Sequence, residues 1–552
     1  MTRRDLFADW IWLLLFGGVS TVWCVLAARE LGATFDEPTY LRCGLEHWRT
    51  GSYKQLMRLG TMPLPVDVQT LPLYLWERGR GEPVEFASAL RVARAGNLIF
   101  WWALLIYALR AGRALSGQWG GRIAVALLAC EPVLLGHAAL ATTDIAVAAC
   151  LLALAFEFHA GRGSRWPRRV ALPAVLYGAA ILAKASALVF GPLCMLVIEF
   201  ERAWRDGAFQ GGANVWRERA RLFWRDAWKI MAGGLALTFL YCGSDWTTER
   251  TFVEWAQTLP PGIRHDTMLW TAGHLRIFTN AGEGLAQQIK HNLRGQGAYL
   301  LGREYARAVW FYFPVALTIK ATIPLLALPL AITATRPRAL RNWACLAAAA
   351  LLFYSVTCRV QIGVRFMFPL MAFACVGLGA AAATTLRELA GWKRNGFAVW
   401  LALGISASAL AAWRAWPNGI CFTNAAWGGT GKGYLWLSDS NYDWGQGLND
   451  LRAWQSRHGA DVVDVWYFGA DPSVHVLPLR ELPLHRIEGA ALTVLVEGKV
   501  VAVSATLLYG AFGKGSGSLR EAIAFFRARQ PTDRTTTFFI YDFRDSARDR
   551  LR

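Results

Sequence analysis

The sequence predicts a polytopic α-helical membrane protein that carries a small α/β domain at its C-terminal end. Of its 552 residues, 55% are hydrophobic and only 18% are charged, whereas soluble domains carry about 25% charged residues. The mean hydropathy is +0.28. Long apolar runs recur up to residue 416, and short alternating segments follow them. We therefore divide the chain into a membrane domain, residues 1–416, and a C-terminal domain, residues 417–552.

The apolar runs predict the number of membrane spans. A bilayer core about 30 Å thick needs roughly 20 apolar residues per helix. Runs that approach this length lead us to expect about eleven transmembrane helices, at residues 10–28, 95–115, 121–138, 144–158, 170–183, 186–200, 230–242, 308–333, 343–357, 364–386 and 397–413. The first run follows a short basic segment and predicts an uncleaved first span.

Arginine and lysine clusters predict the orientation of the spans. The clusters fall between spans at alternate ends, and positively charged segments remain in the cytoplasm. This rule places the N-terminus in the cytoplasm, and it places outside the membrane two large loops, residues 29–94 and 243–307, together with the C-terminal domain. In a bacterium the protein would lie in the inner membrane with that domain in the periplasm. The same rule explains the net charge of +19, so we do not expect a nucleic-acid partner.

The C-terminal domain has its own pattern. Residues 461–468, 499–507 and 535–541 are rich in Val, Tyr and Phe and predict strands. Residues 448–456 and 518–529 have helical spacing. We therefore expect a small α/β domain of ordinary size.

Acidic residues at the predicted outer face are candidates for chemistry. Asp36 and Glu37 follow the first span, and Asp144 opens another span after a short turn that contains His137. The alternatives are helix capping by the aspartates and an interfacial role for the histidine. Because charges near lipid are costly, we interpret the three acids as catalytic candidates and His137 as a possible substrate contact.

Four cations lie within or beside the ends of apolar runs. Lys184 interrupts a short apolar hairpin, Lys320 lies inside a long apolar run, and Arg359 and Arg365 flank the outer end of a late span. Charges at such depth are usually paired or line a cavity. A stabilising ion-pair network is the alternative for the two arginines. With the acids, these cations predict a cavity that binds a phosphate and positions a base, and we expect all four to be phosphate ligands.

The ordered motifs resemble those of the GT-C superfamily of membrane glycosyltransferases, in its branch of protein O-mannosyltransferases and aminoarabinose transferases. Shared features are an Asp-Glu pair with Tyr40 in the first outer loop, a His…Thr-Thr-Asp segment, a hairpin lysine, and an Arg-aromatic-Pro run from Arg365 to Pro369. Residues 438–448 are similar to a segment of uncharacterised bacterial members. The resemblance covers most of the chain. One departure is Met-Pro-Leu-Pro at residues 62–65, where many relatives have a His-Pro-Pro-Leu-like run.

The resemblance implies a GT-C fold and an inverting transfer of a sugar from a polyprenyl-phosphate donor. The acceptor would be a protein, a lipid or a glycan at the outer face of the membrane. A phosphate leaving group needs cations, and an acceptor hydroxyl needs a base. Our hypothesis makes Asp36 the base, gives Glu37 and Asp144 an orienting role, and makes Tyr40 a possible substrate contact. No cofactor is expected, and a divalent cation at the acidic pair is not favoured.

The segment DSNYDWGQGLND has an alternative interpretation as a calcium loop. Acidic and amide side chains stand at the first, third, fifth and twelfth positions of an EF-hand-like loop: Asp439, Asn441, Asp443 and Asp450. However, Trp444 occupies the sixth position, where Gly is expected. An Asx-rich turn before the next helix accounts for the segment better. We therefore predict no metal site.

Two other functions fit a membrane protein with buried charges. A transporter or flippase for lipid-linked saccharides would also place charges in a membrane cavity. It would be expected to show inverted repeats and broken helices at the membrane midplane, and the sequence shows neither. A non-catalytic scaffold in envelope assembly is the other alternative.

Overall fold

A computed structural model of the protein describes residues 3–207, 213–276, 279–484, 492–510 and 517–544. All eleven apolar runs are helical in it. A small sheet follows the last long helix. The predicted fold class, a polytopic helical protein with a small C-terminal α/β region, is therefore confirmed.

The helices fall into two groups. Those that contain the apolar runs are α1 (Arg3–Glu30), α5 (Phe86–Ser116), α6 (Gln118–Ala129), α7 (Pro132–Ala138), α8 (Asp144–Gly161), α9 (Leu172–Ala183), α10 (Ala187–Arg205), α11 (Ala213–Cys242), α15 (Tyr312–Lys320), α16 (Ile323–Thr335), α17 (Trp343–Ser355), α18 (Phe368–Glu388) and α19 (Gly391–Ala415). Those of the predicted outer loops are α2 (Glu37–Thr50), α3 (Lys54–Arg58), α4 (Leu64–Arg80), α12 (Arg250–Gln257), α13 (Ile263–His274) and α14 (Thr279–Arg294).

The centre of the bundle is formed by α5, α6, α8 and α18. The most apolar window of α8 is 83% buried and that of α18 is 89% buried, whereas the corresponding window of α19 is only 22% buried and lies at the periphery. Small residues let the central helices approach closely. A Cβ added at Gly112 would lie 2.6 Å from the Gly120 carbonyl oxygen, and one at Gly379 would lie 2.7 Å from the Ala124 nitrogen.

Two of the predicted spans are broken, so the expectation that the chain has no broken helices is wrong. The axes of α6 and α7 differ by 71°, and those of α15 and α16 differ by 107°. Prolines account for both breaks, because Pro132 begins α7 and Pro324 lies in the first turn of α16. The breaks are joined, since the Glu131 carboxylate accepts hydrogen bonds from Thr322 N at 2.8 Å and from Thr322 Oγ1 at 2.9 Å.

By length and composition, five helices of the described chain can each cross a bilayer, and up to seven spans result if each bent pair counts as one. The sequence predicted eleven. The difference arises from short or charge-bearing helices: α9 has 12 residues and α17 has 13, while α10 and α11 carry acidic and basic residues along part of their length.

The C-terminal region contains a five-stranded mixed sheet. Its strands are β3 (Val463–Trp466), β4 (Leu479–Glu481), β5 (Val500–Ser504), β6 (Asp533–Arg534) and β7 (Phe538–Asp542), in the spatial order β4-β3-β5-β7-β6. β3 is parallel to β4 and β5, whereas β7 is antiparallel to β5 and β6. A separate hairpin, β1 (Ala298–Leu300) and β2 (Arg303–Tyr305), follows α14.

Helices cover both faces of the sheet, as period-2 alternation requires. Val501 and Val503 share a core with α23 (Gly517–Arg527), whereas Val500 and Ala502 share one with α20 (Leu448–His458). Two short helices, α21 (Leu492–Val496) and α22 (Ala505–Leu508), flank β5.

Backbone hydrogen bonds join the first outer loop to the segment that precedes the sheet. Gly32 N donates to Gln446 O at 2.9 Å, and Phe35 N donates to Trp444 O at 2.8 Å. Gln288 of the second outer loop donates to Gly60 O of the first at 2.7 Å. The three parts that the charge pattern assigned to one side, the two large loops and the C-terminal region, therefore meet at one end of the bundle. We call it the loop end. That it faces the periplasm stays a prediction.

Candidate active site

A polar cavity of about 470 Å³ opens at the loop end. The first outer loop, the end of α9, the turn before α18 and helix α14 form its walls. Of the nine residues predicted from the sequence, four line it: Asp36, Tyr40, Lys184 and Arg365.

Asp36 presents its carboxylate to this cavity. It is the N-cap residue of α2, yet its side chain makes no capping hydrogen bond. Instead, Oδ2 accepts from Arg365 Nη1 at 3.2 Å and from the Tyr40 hydroxyl at 3.4 Å. Burial, followed by the Asp36 charge, raises the pKa of Tyr40 above its ordinary value, so this hydroxyl remains a donor. The Asp36 side chain is 24% exposed, which leaves it accessible to a ligand.

Asp144, Lys184 and Arg365 form an ion cluster beneath Asp36. Asp144 opens α8 and is fully buried, and its Oδ1 accepts from Lys184 Nζ. Its Oδ2 lies 3.6 Å from Arg365 Nη1. α9 ends at Ala183, so Lys184 adopts an extended conformation and its ammonium reaches the cavity. With Asp36 included, two carboxylates balance two cations, and the cluster is electrically neutral.

Aromatic rings fix the two cations. Arg365 Cζ lies 4.0 Å from the ring centroid of Trp444 and 5.4 Å from that of Phe366. Lys184 Nζ lies 4.2 Å from the Phe366 ring. Such contacts are attractive and restrict the orientation of the guanidinium plane. Arg365 Nε has no hydrogen-bond partner in the described part of the chain, so it can donate to a ligand oxygen.

Glu37 does not line the cavity. It is fully buried and accepts hydrogen bonds from Arg94 Nε at 2.8 Å and Arg94 Nη2 at 2.7 Å. It also accepts from the Thr34 hydroxyl and from the backbone N–H groups of Thr34 and Ala141. Burial would raise the pKa of Glu37, but the charge and hydrogen bonds of Arg94, with those backbone groups, outweigh it and lower the pKa. The Glu37 carboxylate is thus held by groups within the protein and does not face the cavity.

Lys320, Arg359 and His137 also lie outside the cavity lining. Lys320 is buried and donates to the carbonyl oxygens of Ile420 and Asn441, each at 2.6 Å. Arg359 is exposed, and its guanidinium donates only weakly, to a backbone oxygen at 3.4 Å. His137 is buried, with its ring centroid 4.8 Å from that of Phe368.

The segment 438–446 builds the wall behind Arg365. Asn441 Oδ1 accepts from Val364 N, the residue before Arg365, and Ser440 Oγ donates to Ile362 O. Asp439 has a left-handed φ of 56°, which Asp tolerates in turns. Burial raises the pKa of Asp439 to about 6, against the lowering effect of the Arg365 charge. The segment thus holds the turn that presents Arg365.

The calcium-loop alternative finds no support in these contacts. Asp443 accepts from Thr506 N and Gly445 N, while Asp450 accepts from Thr536 N. The side chains therefore bind separate backbone groups rather than a common centre. Among the described residues, no group of three or more His, Cys, Asp or Glu side chains could hold a metal ion.

An apolar groove of about 230 Å³ adjoins the polar cavity. The two share five lining residues: Lys184, Ala185, Gln288, His291 and Phe366. The rest of the groove is mainly hydrophobic, with contributions from α10, α14, α15 and α17: Leu188, Val189, Phe190, Leu285, Ile289, Phe313 and Tyr354. A charged headgroup in the cavity can therefore continue into an apolar chain.

Sequence reasoning missed the contribution of α14. Its polar residues line one side of the cavity: Gln287, Gln288, Lys290, His291 and Arg294. Their helical spacing, at intervals of three or four residues along an otherwise amphipathic helix, is the signal that could have identified them. The loop 58–62, next to the departure from the family motif, also lines the cavity.

No protein-family model and no curated protein matches the chain. A search of solved structures finds ArnT from Cupriavidus metallidurans bound to undecaprenyl phosphate, at 14% identity and a TM-score of 0.45, covering 96% of this chain and 97% of that one. It also finds the apo oligosaccharyltransferase of Archaeoglobus fulgidus, at 14% identity and a TM-score of 0.42, covering 72% and 55% of the two chains.

A third match is the arabinofuranosyltransferase AftD from Mycobacteria, at 15% identity and a TM-score of 0.42. It covers 91% of this chain but 35% of that one. The match to ArnT extends along nearly all of both chains.

Proposed function

We propose that the protein is an inverting glycosyltransferase of the GT-C type, which moves a sugar from a polyprenyl-phosphate donor to an acceptor at the outer face of a bacterial inner membrane. The observation that carries the proposal is the position of Asp36. It is a part-exposed carboxylate in a cavity that also presents Lys184 and Arg365 and that opens into an apolar groove.

The donor would occupy both the polar cavity and the adjoining apolar groove. Its phosphate would lie against Lys184 and Arg365 Nε, because ionised donors make strong hydrogen bonds to phosphate oxygens. The first prenyl units would follow the groove beside Phe190 and Ile289. The sugar would then point toward Asp36. Glycosyl phosphates need a cationic site at the leaving group, which these two side chains supply.

The reaction would be one direct displacement. Asp36 takes the proton of the acceptor hydroxyl while the acceptor oxygen bonds to the anomeric carbon. The bond between that carbon and the phosphate oxygen breaks, and its electron pair leaves with the polyprenyl phosphate. Lys184 and Arg365 stabilise the developing charge, and attack from the side opposite the leaving group inverts the anomeric centre.

The test is release of free polyprenyl phosphate from a panel of polyprenyl-phosphate monosaccharides. The purified full chain is incubated with each donor and with envelope extract as the acceptor source. We expect wild-type protein to release polyprenyl phosphate and Asp36→Asn to lose about 10²-fold or more in rate. Asp461→Asn, an exposed aspartate of the C-terminal region, is the matched control. Near-normal release by Asp36→Asn would refute the assignment of the base.

The bent helix pairs favour a second candidate, a flippase for the same lipid-linked saccharide. Transporters commonly use broken helices at their binding sites. Here the two breaks meet at Glu131, which does not line the cavity. The release assay, combined with measurements of donor binding and translocation, separates the two functions. Donor binding with no turnover by wild-type protein, together with donor translocation in proteoliposomes, would favour the flippase.

A further inference from the structure

A second groove, distinct from the donor site, lies between α1 and α5 at the loop end. Its volume is about 310 Å³. Small and apolar side chains form its walls: Cys24, Val25, Ala28, Ala95, Leu98 and Ala139. None of these residues lines the polar cavity or the adjoining apolar groove. The second groove follows two neighbouring helices.

Two arginines stand at the rim of this groove. Arg29 is in the last turn of α1 and Arg91 is in the second turn of α5, and both are exposed. Neither forms an ion pair with any residue that the structure describes, in contrast to Arg94 at the base of the groove, which is paired with Glu37. Unpaired arginines at this end run against the usual bias of positive charge toward the opposite side of a membrane protein.

The groove opens toward the surface that faces lipid. Leu26 on α1 and Ile99 on α5 flank it and are 43% and 60% exposed. Val22, one turn further from the loop end, is 59% exposed. Apolar side chains exposed on two membrane helices are solvated by acyl chains. The arginines therefore stand above a cleft that acyl chains can enter.

We propose that this groove binds an anionic glycerophospholipid, with the phosphate between Arg29 and Arg91 and one acyl chain along the groove. Arginine pairs well with phosphate because its planar fork can donate two hydrogen bonds at once. The negative headgroup matches the two positive charges of the rim, and the chain matches the apolar walls. A zwitterionic lipid would satisfy the walls but would bring no net negative charge to the rim.

The lipid would support the loop that carries Asp36. Arg94 donates to the carbonyl oxygens of Ala28 and Leu31 and to the Glu37 carboxylate. It thereby connects the wall of the groove to the residue beside Asp36. Occupation of the groove would restrict the separation of α1 from α5 at this end. The inference does not depend on the transferase activity, since it concerns binding alone.

The test measures binding of lipid to the full chain. Phosphatidylglycerol is titrated into delipidated protein in dodecyl maltoside, and the thermal unfolding temperature and native mass spectra are recorded. We expect phosphatidylglycerol to stabilise the wild type and to remain bound as one tightly held molecule. Because each arginine near a charged lipid surface contributes about fivefold in affinity, Arg29→Gln with Arg91→Gln should weaken binding by roughly 25-fold.

Two control variants distinguish this groove from the rest of the protein surface. Arg78→Gln with Arg80→Gln removes two exposed arginines of α4 and should leave binding unchanged. Ala95→Phe fills the groove and should abolish binding even with both rim arginines present. Equal stabilisation by phosphatidylcholine or by inorganic phosphate would overturn the proposal. Undiminished binding of phosphatidylglycerol by the Arg29/Arg91 variant would do so as well.

Discussion

The buried pair of Glu37 and Arg94 allows a quantitative prediction. Glu37→Gln removes the negative charge that compensates the buried guanidinium of Arg94. It also replaces one acceptor oxygen by an NH₂ group, which would face the N–H donors that now bind the carboxylate. Loss of one partner of a buried pair costs about 3–5 kcal/mol. If this cost falls on the loop, the free energy of its local opening decreases by that amount, and the open fraction rises by about 10²-fold to 5 × 10³-fold.

Hydrogen exchange measures this opening directly. The amides of Thr34 and Ala141 both donate to Glu37, so their exchange rates report on the pair. We expect both to exchange about 10²-fold faster or more in Glu37→Gln. Glu30→Gln, an exposed glutamate in the same segment, should leave both rates unchanged. Wild-type protection in Glu37→Gln would show that the pair does not hold the loop.

The pH dependence gives an independent check on the same pair. The pKa of Glu37 is lowered from its ordinary 4.5, so its contribution to stability is fully present above that pH and is lost as the pH falls through the folded pKa. Corrected for intrinsic exchange, protection of Thr34 and Ala141 should therefore be constant from about pH 8 to about pH 5. Protection that declines within that range would contradict an ionised Glu37.

Three further predictions concern the C-terminal region and the lysine of α15 that contacts it. Trp444→Ala removes a cation–π contact worth about 2 kcal/mol when desolvated and should weaken donor binding by up to about 30-fold, measured by calorimetry, whereas Trp444→Phe should retain most of the affinity. Lys320→Met leaves two buried carbonyl groups without a donor and should lower the free energy of unfolding by about 2–5 kcal/mol without changing donor affinity. A selective loss of donor affinity would instead support Lys320 as a phosphate ligand. Burial raises the pKa of Asp443 to about 7, so its ionisation costs stability above that pH. Thermal stability should rise as the pH falls from 8 to 5, and Asp443→Asn should flatten that rise.

The sequence was sufficient for the fold class because hydropathy reports directly on the solvent around a helix. Every apolar run became helical, two of them as bent pairs of helices, and the predicted strands overlap β3, β5 and β7. The breaks at Glu131 and Thr322 were missed, although Pro132 and Pro324 mark them. A run of apolar residues indicates that a segment is shielded from water, but it does not indicate whether the helix is straight or bent.

The site was predictable only in part. Asp36, Asp144, Lys184 and Arg365 stood out because charges in apolar surroundings are costly, and the structure brings all four together. The same reasoning selected Lys320, whose cost is met instead by two carbonyl oxygens. A costly buried charge needs a partner, but its identity depends on segments that are distant in the chain. One sequence cannot distinguish a ligand from a backbone carbonyl.

The different positions of the Asp36 and Glu37 side chains follow from the geometry of the α2 N-terminus. The two residues are adjacent, yet the turn that begins the helix sends one side chain into the cavity and the other into the protein. Glu37 is held by Arg94 and two backbone amides, so it fixes the backbone position of its neighbour. A base must lie within hydrogen-bond reach of its substrate, and a small displacement is costly to the rate. On the proposed mechanism we therefore expect both carboxylates to be essential to turnover, although only Asp36 would touch the substrate. Loss of turnover with normal amide protection identifies the base, and loss of both identifies the residue that positions it.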